Sequence, residues 1–201
     1  ASLEWYFAPR ALLSGSVYYM DLADYINFGT TTIQYKDQQA SHDTGTDVYS
    51  DYLVSVPVNA SGKVKGFELA YEKPIGENFG VSTNYTYADG QGQDGAPLPY
   101  NSKHQVNISP FYENGPIAAR VTYTWRSKYF TGIDRGDEMF VRPYKSLDIS
   151  GTYNFNKNVS LTVAGMNLLD SEYYAYANTT ELARGVYRTG RKYMATLSLM
   201  F

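Results

Sequence analysis

Along most of the chain, apolar and polar side chains alternate one by one, the period that sends successive side chains to opposite faces of a β-strand. Over 147–155, Leu147, Ile149, Gly151, Tyr153 and Phe155 share one face, while Ser146, Asp148, Ser150, Thr152 and Asn154 share the other. Over 117–126, Ile117, Ala119, Val121, Tyr123 and Trp125 oppose Ala118, Arg120, Thr122, Thr124 and Arg126. The same split predicts strands at 3–7, 13–19, 67–71, 79–87, 106–112, 159–163 and 193–201, nine in all, and no helix-period segment competes with them.

The connections alternate in length. Short ones fall at 8–10, 74–78, 113–116 and 156–158; long ones run through 27–63, 89–102, 127–143 and 169–187. One end of the sheet therefore has tight turns and the other has large loops, the asymmetry of a transmembrane β-barrel rather than of a soluble sandwich. Aromatics gather at both ends of the apolar face. Tyr19, Tyr87 and Trp125 lie toward the long loops, and Phe79, Tyr112, Tyr153, Phe155 and Phe201 toward the short turns, as two membrane interfaces would select. The polar face carries Glu4, Glu68, Glu72, Arg120, Arg126 and Asp148 among Ser, Thr and Asn, which suits an aqueous or plugged lumen.

Composition narrows the picture further. Aromatics make up 16% of the 201 residues, and no stretch approaches the apolar length of a membrane-spanning helix. The mean hydropathy of −0.40 does not argue against a barrel, whose alternating faces average out. A net charge of −3 with scattered signs excludes the basic stripe of a nucleic-acid binder. The absence of Cys removes disulfides, thiolate catalysis and Cys-ligated zinc. The first residues, Ala1-Ser2-Leu3-Glu4-Trp5, lack the basic region and apolar core of a secretory leader. An up-and-down set of nine strands leaves its first and last strands parallel, so the chain reads as part of a larger barrel.

No catalytic constellation is present: there is no Gly-x-Ser-x-Gly elbow, no His-Glu-x-x-His and no phosphate loop, so neither an enzyme nor a bound cofactor is expected. The run Asp134-Arg135-Gly136-Asp137-Glu138 lacks the spacing of a calcium loop, Asp43, Asp47 and Asp51 sit in a polar loop, and His42 and His104 are the only histidines; no metal site is expected. The Gly-rich 89–95 segment reads as a flexible loop.

The C-terminal run 187–201 alternates apolar residues up to a final Phe, with Gly190 upstream. It resembles the signal read by the outer-membrane β-barrel assembly machinery, and implies Gly190, Tyr193, Leu197, Leu199 and Phe201 as its elements. Upstream, Gly165-Met166-Asn167-Leu168-Leu169-Asp170 followed by Tyr173-Tyr174, and then Gly190-Arg191-Lys192-Tyr193, resembles the last two strands of TonB-dependent receptors. Val64-Lys65-Gly66-Phe67-Glu68-Leu69, Asn84-Tyr85-Thr86-Tyr87-Ala88-Asp89 and Leu98-Pro99-Tyr100-Asn101-Ser102-Lys103-His104 resemble that family's mid-barrel strands. Together these motifs cover most of 64–201.

The resemblance implies an all-β, antiparallel up-and-down barrel, with residues 1–201 supplying about nine C-terminal strands of a 22-stranded wall. The plug domain and the TonB-contacting box of such receptors are not visible in this chain. It further implies a bacterial outer-membrane location and active import of a scarce nutrient, a carbohydrate or a ferric siderophore, driven by the TonB complex. Loop and loop-proximal residues Tyr100, Arg126, Tyr129, Asp134, Arg135 and Asp137 are the candidates for substrate contact, and 125–129 resembles carbohydrate-type members. Lys65, Lys145 and Arg191 fall on the apolar parity at the long-loop end and are candidates for lipopolysaccharide phosphates in the outer leaflet. The rival readings are a passive porin with an even strand count, a barrel enzyme, and a soluble β-sandwich carbohydrate-binding module whose apolar faces form a dry core.

Overall fold

The computed structural model describes residues 1–92, 95–134 and 136–200. It contains thirteen strands: β1 (Ser2–Ala8), β2 (Ala11–Lys36), β3 (Tyr49–Ile75), β4 (Phe79–Gly92), β5 (His104–Asn114), β6 (Ile117–Arg126), β7 (Tyr129–Asp134), β8 (Asp137–Val141), β9 (Tyr144–Asn154), β10 (Val159–Met166), β11 (Glu172–Ala177), β12 (Ala183–Arg188) and β13 (Lys192–Leu199), with one short helix, α1 (Gln38–Thr44). Nine of them form one antiparallel sheet in the order β1-β2-β3-β4-β5-β6-β9-β10-β13, and these are the nine strands that the alternation predicts.

The short turns follow from local chemistry. Ala8 pairs with Ala11 across a Pro9-Arg10 loop in which Arg10 has φ 59°. Pro in the first position and a positive φ in the second are the requirements of a type II turn. Asn114 pairs with Ile117 across Gly115-Pro116, where the first position takes φ 54° and Gly meets no steric penalty.

The long connections depart from the loop expectation. Residues 27–63 are mostly strand: β2 and β3 pair without a break from Tyr25↔Ala60 to Lys36↔Tyr49. A strand of 26 residues reaches roughly 85 Å, far more than a bilayer needs, so this hairpin projects well beyond the wall. Its tip is α1, which periodicity did not reveal in only seven residues; Asp37 caps it by accepting from the Ala40 N–H at 2.9 Å, and Gly45 ends it at φ 69°. Segments 127–143 and 169–187 fold into hairpins β7–β8 and β11–β12, which join in a second sheet of order β12-β11-β8-β7. That order repeats β13-β10-β9-β6, so the four strands of the wall run on past a break into the second sheet. The Gly-rich segment likewise begins as strand, since β4 extends to Gly92.

Asn167 holds this break together. Its N–H donates to Asp148 Oδ1 at 2.8 Å, its Nδ2 donates to the carbonyls of Ser171 (3.3 Å) and Gly190 (3.1 Å), and its Oδ1 accepts from the Ser171 N–H at 2.9 Å. The residue is buried and adopts φ 52°, a left-handed conformation that Asn tolerates. Arg191 Nε closes the joint on the Leu168 carbonyl at 3.0 Å. The motif at 165–170 is therefore a structural staple between β9, β10 and the start of β13.

The two faces of the wall differ sharply. On the polar face, here termed inner, hydrogen bonds cross between strands: Asn107 to Asn84 at 2.8 Å, Thr124 to Asn107 at 2.7 Å, Ser109 with Thr122 at 2.9 Å and Thr152 with Thr162 at 2.8 Å. On the outer face Leu3, Val17, Val163, Tyr193 and Leu197 are each more than half exposed. Among the described residues only nine hydrophobic side chains are buried, too few for a soluble domain of this length. The dry core required by a soluble sandwich is not formed. A continuous exposed apolar face of this extent needs lipid or another protein against it.

Both girdles are present on that face. Near the short turns, Phe7 stacks on Tyr71 at 5.9 Å, Phe79 meets Tyr112 at 4.7 Å and Tyr153 meets Phe155 at 4.9 Å. Near the long loops, Phe67 stacks on Tyr87 at 5.5 Å, and Tyr87 approaches His104 at 5.3 Å.

Candidate functional site

The inner row of β6 ends at Arg126, where three segments converge. Its Nε donates to Ser102 Oγ at 2.8 Å, its Nη2 reaches the Tyr100 carbonyl at 3.5 Å, and the guanidinium lies 4.1 Å from the centre of the Tyr129 ring. Ser102 is fully buried and also bonds the Ser127 carbonyl at 3.1 Å, so the base of the cluster is fixed. Tyr100 is held by its N–H on the Phe130 carbonyl at 2.7 Å and keeps its ring exposed, 6.4 Å from that of Tyr129. Tyr173 and Tyr187, opposite each other on β11 and β12 with rings 5.7 Å apart, complete the group. The Tyr173 hydroxyl titrates above the ordinary tyrosine range, first because it is partly buried, then through Tyr129, Tyr100 and Tyr187 beside it. Among the described residues Arg126 forms no ion pair. The result is a cation carried on a tyrosine-lined surface where the inner face of the wall meets the loops.

Three of the six substrate candidates, Tyr100, Arg126 and Tyr129, are thus brought together. Asp134 and Asp137 are not: they sit at the tip of the β7–β8 hairpin, about 17 Å further along β7 than Tyr129. There Arg184 Nη2 meets Asp137 Oδ2 at 2.6 Å and its Nε lies 3.7 Å from Asp134, while Asn178 donates to Asp137 at 2.8 Å. These carboxylates hold β12 to the hairpin tip, and among the described residues no group of three or more metal-ligating side chains forms. Arg135 lies outside the described residues, as does Phe201. Tyr173, Tyr187 and Ser102 were missed in the sequence, although Tyr173, Ala175 and Ala177 alternate with Glu172, Tyr174 and Tyr176 and could have marked β11 as a strand.

Of the other candidate residues, Gly190 takes φ 71° at the entry to β13, and Tyr193, Leu197 and Leu199 form its exposed outer row. Lys65, Lys145 and Arg191 do not form one cluster. Three strands separate β3 from β9, and one separates β9 from β13. Lys65 lies 3.8 Å from Asp89, and Arg191 is engaged on Leu168.

A meander of nine antiparallel strands with a hydrogen-bonded polar inner face, an exposed apolar outer face and two aromatic girdles is the wall of a transmembrane β-barrel. No helix among the described residues is long and apolar enough to cross a membrane. The sequence model of the family described as TonB dependent receptor-like, beta-barrel matches residues 1–168, and the chain belongs to that family. Among solved structures it is similar to the copper transporter OprC (TM-score 0.73, 16% identity), covering 100% of this chain and 30% of that one. It is also similar to the siderophore receptor PirA from Acinetobacter baumannii (0.68, 18% identity, 100% and 31% covered). A third is the ferric-catecholate import receptor Fiu from K12 E. coli (0.65, 20% identity, 98% and 26% covered). The chain spans about a quarter to a third of the length of these proteins.

Proposed function

We propose that the chain is the C-terminal part of an outer-membrane active transporter, not an enzyme, and that it supplies wall and mouth for import of an anionic ferric siderophore. The TonB complex would energise import through a plug domain not contained in this chain, and β13 would be the strand offered to the barrel assembly machinery. One observation carries the substrate reading: Arg126, without a carboxylate partner among the described residues, lies under a group of tyrosines at the inner rim. A metal chelate with catecholate or carboxylate groups offers negative charge to the guanidinium and flat rings to the tyrosines. Names of structural neighbours such as the ferric-catecholate and siderophore receptors agree with this class. Carbohydrate is the second reading. It draws on 125–129, but Trp125 pairs with Val106 and Lys145 on the outer row, so of the side chains at 125, 126 and 129 those of Arg126 and Tyr129 belong to the cluster.

Fluorescence titration of the full-length receptor in detergent, with a ferric tris-catecholate and with a maltooligosaccharide, separates the two. We expect saturable quenching by the chelate, and an Arg126→Ala variant weakened by about tenfold to a hundredfold, the value of a charge-assisted hydrogen bond. Saturable binding of the sugar alone would overturn the siderophore reading.

A further inference from the structure

We infer that the outer rim of the wall carries a binding site for the phosphorylated headgroup of an outer-leaflet lipid, built by Lys65, Lys103 and Lys128. The inference rests on the membrane placement proposed above. Register puts Lys65 opposite Asp89 and Tyr87 opposite His104, all on the apolar outer row and at its long-loop end. Below this level the outer row is aromatic and aliphatic; above it the connections begin. This is the depth at which headgroup phosphates meet a membrane protein.

The lysines are arranged rather than scattered. Lys103 Nζ lies 3.1 Å from Asp89 Oδ1 and Lys65 Nζ lies 3.8 Å from Asp89 Oδ2, so one mostly buried carboxylate orients two cations and neutralises only one. Lys103 also lies over the Tyr87 ring at 5.5 Å, and Lys128 over the Phe140 ring at 5.4 Å. Beside Lys103 and Lys128 opens a pocket of about 360 Å³ lined also by Asp89, His104, Phe130 and Phe140, and Lys65 adjoins it through the shared Asp89. Among the described residues, three ammonium groups against one carboxylate leave two positive charges beside an apolar floor. Phosphate meets the first feature and the sugar or acyl part of a glycolipid meets the second. Lys145, on β9, and Arg191, at the entry to β13, do not line this pocket.

The test uses the full-length receptor in detergent, titrated with diphosphoryl lipid A, with its dephosphorylated counterpart and with inorganic phosphate. We expect tight binding of the diphosphoryl form only. A K65A/K103A/K128A variant should bind it about a hundredfold more weakly, from roughly fivefold per lysine near a charged leaflet. A K145A/K157A control should bind as the parent does, and heat-modifiable mobility should be retained throughout. Unchanged binding by the triple variant, equal binding of the dephosphorylated lipid, or equal binding of inorganic phosphate would each overturn the site. Failure of the membrane placement would look different: the protein would stay in solution without detergent.

Discussion

Gly66→Ala will prevent the wall from reaching its observed register. Gly66 lies on β3 between Tyr18 of β2 and Ala88 of β4. A Cβ there would stand 2.0 Å from the Tyr87 carbonyl oxygen and 2.7 Å from Tyr18 Oη. The first contact is backbone within the ladder, and no rotamer change relieves it. Overpacking by one methyl ordinarily costs 1–3 kcal/mol where side chains can move; here the loss should be about 3 kcal/mol or more. Shortening Tyr18 as well should not rescue the variant. Gly80 is the contrasting position, because the three heavy atoms nearest to a Cβ there all belong to the ring of Phe111, the first at 2.2 Å. Gly80→Ala should therefore be rescued by Phe111→Leu. Heat-modifiable mobility of the full-length protein in outer-membrane fractions checks both; folded protein from Gly66→Ala at the parent level would refute the packing argument.

Asn167→Ala should be the most damaging change in the 165–170 motif. It removes two donated bonds and one accepted bond, and leaves the Ser171 N–H and the Gly190 carbonyl without their partner at the break between the two sheets. Both groups belong to half-buried residues, so each orphan costs about 1–2 kcal/mol, the lower part of the usual range, and Ala at φ 52° adds about 1 kcal/mol. A total of roughly 3–5 kcal/mol follows. Asn167→Asp keeps the acceptor for the Ser171 N–H but not the two donors, and should lose about half as much. Urea unfolding of the full-length protein in detergent, monitored by near-ultraviolet circular dichroism, should order the three proteins as parent, Asp variant, Ala variant. Equal midpoints would show that the motif does not hold the joint.

The wall was legible because lipid and lumen impose opposite demands on alternate residues, and that alternation survives in single sequences. Val159, Leu161 and Val163 against Ser160 and Thr162 leave no other reading. The long connections were illegible for the same reason. Outside the bilayer both faces of a strand meet water, so Thr30, Thr31, Thr32 and Ser55 can occupy either face, and the period disappears although the β-branched content remains. In the site, Arg126 and Tyr129 were visible because they adjoin a strand already found. Tyr173 and Tyr187 come from a hairpin more than forty residues away, and only its docking beside β8 through Ala175↔Val141 brings them to the rim. Asp134 and Asp137 looked available because nothing in their neighbourhood announces Arg184, which lies on another strand.

The central claim is that the apolar face meets lipid and the polar face meets water. The most direct measurement places single nitroxide labels at 159–163 of β10 in the full-length protein in bilayers; the chain has no Cys of its own to interfere. Relaxation by oxygen, which concentrates in lipid, and by a water-borne nickel chelate should alternate residue by residue. The account predicts high oxygen access at Val159, Leu161 and Val163, and nickel access at Ser160 and Thr162. Labels at the three apolar positions that are shielded from both reagents would mean a dry protein core, and would contradict it.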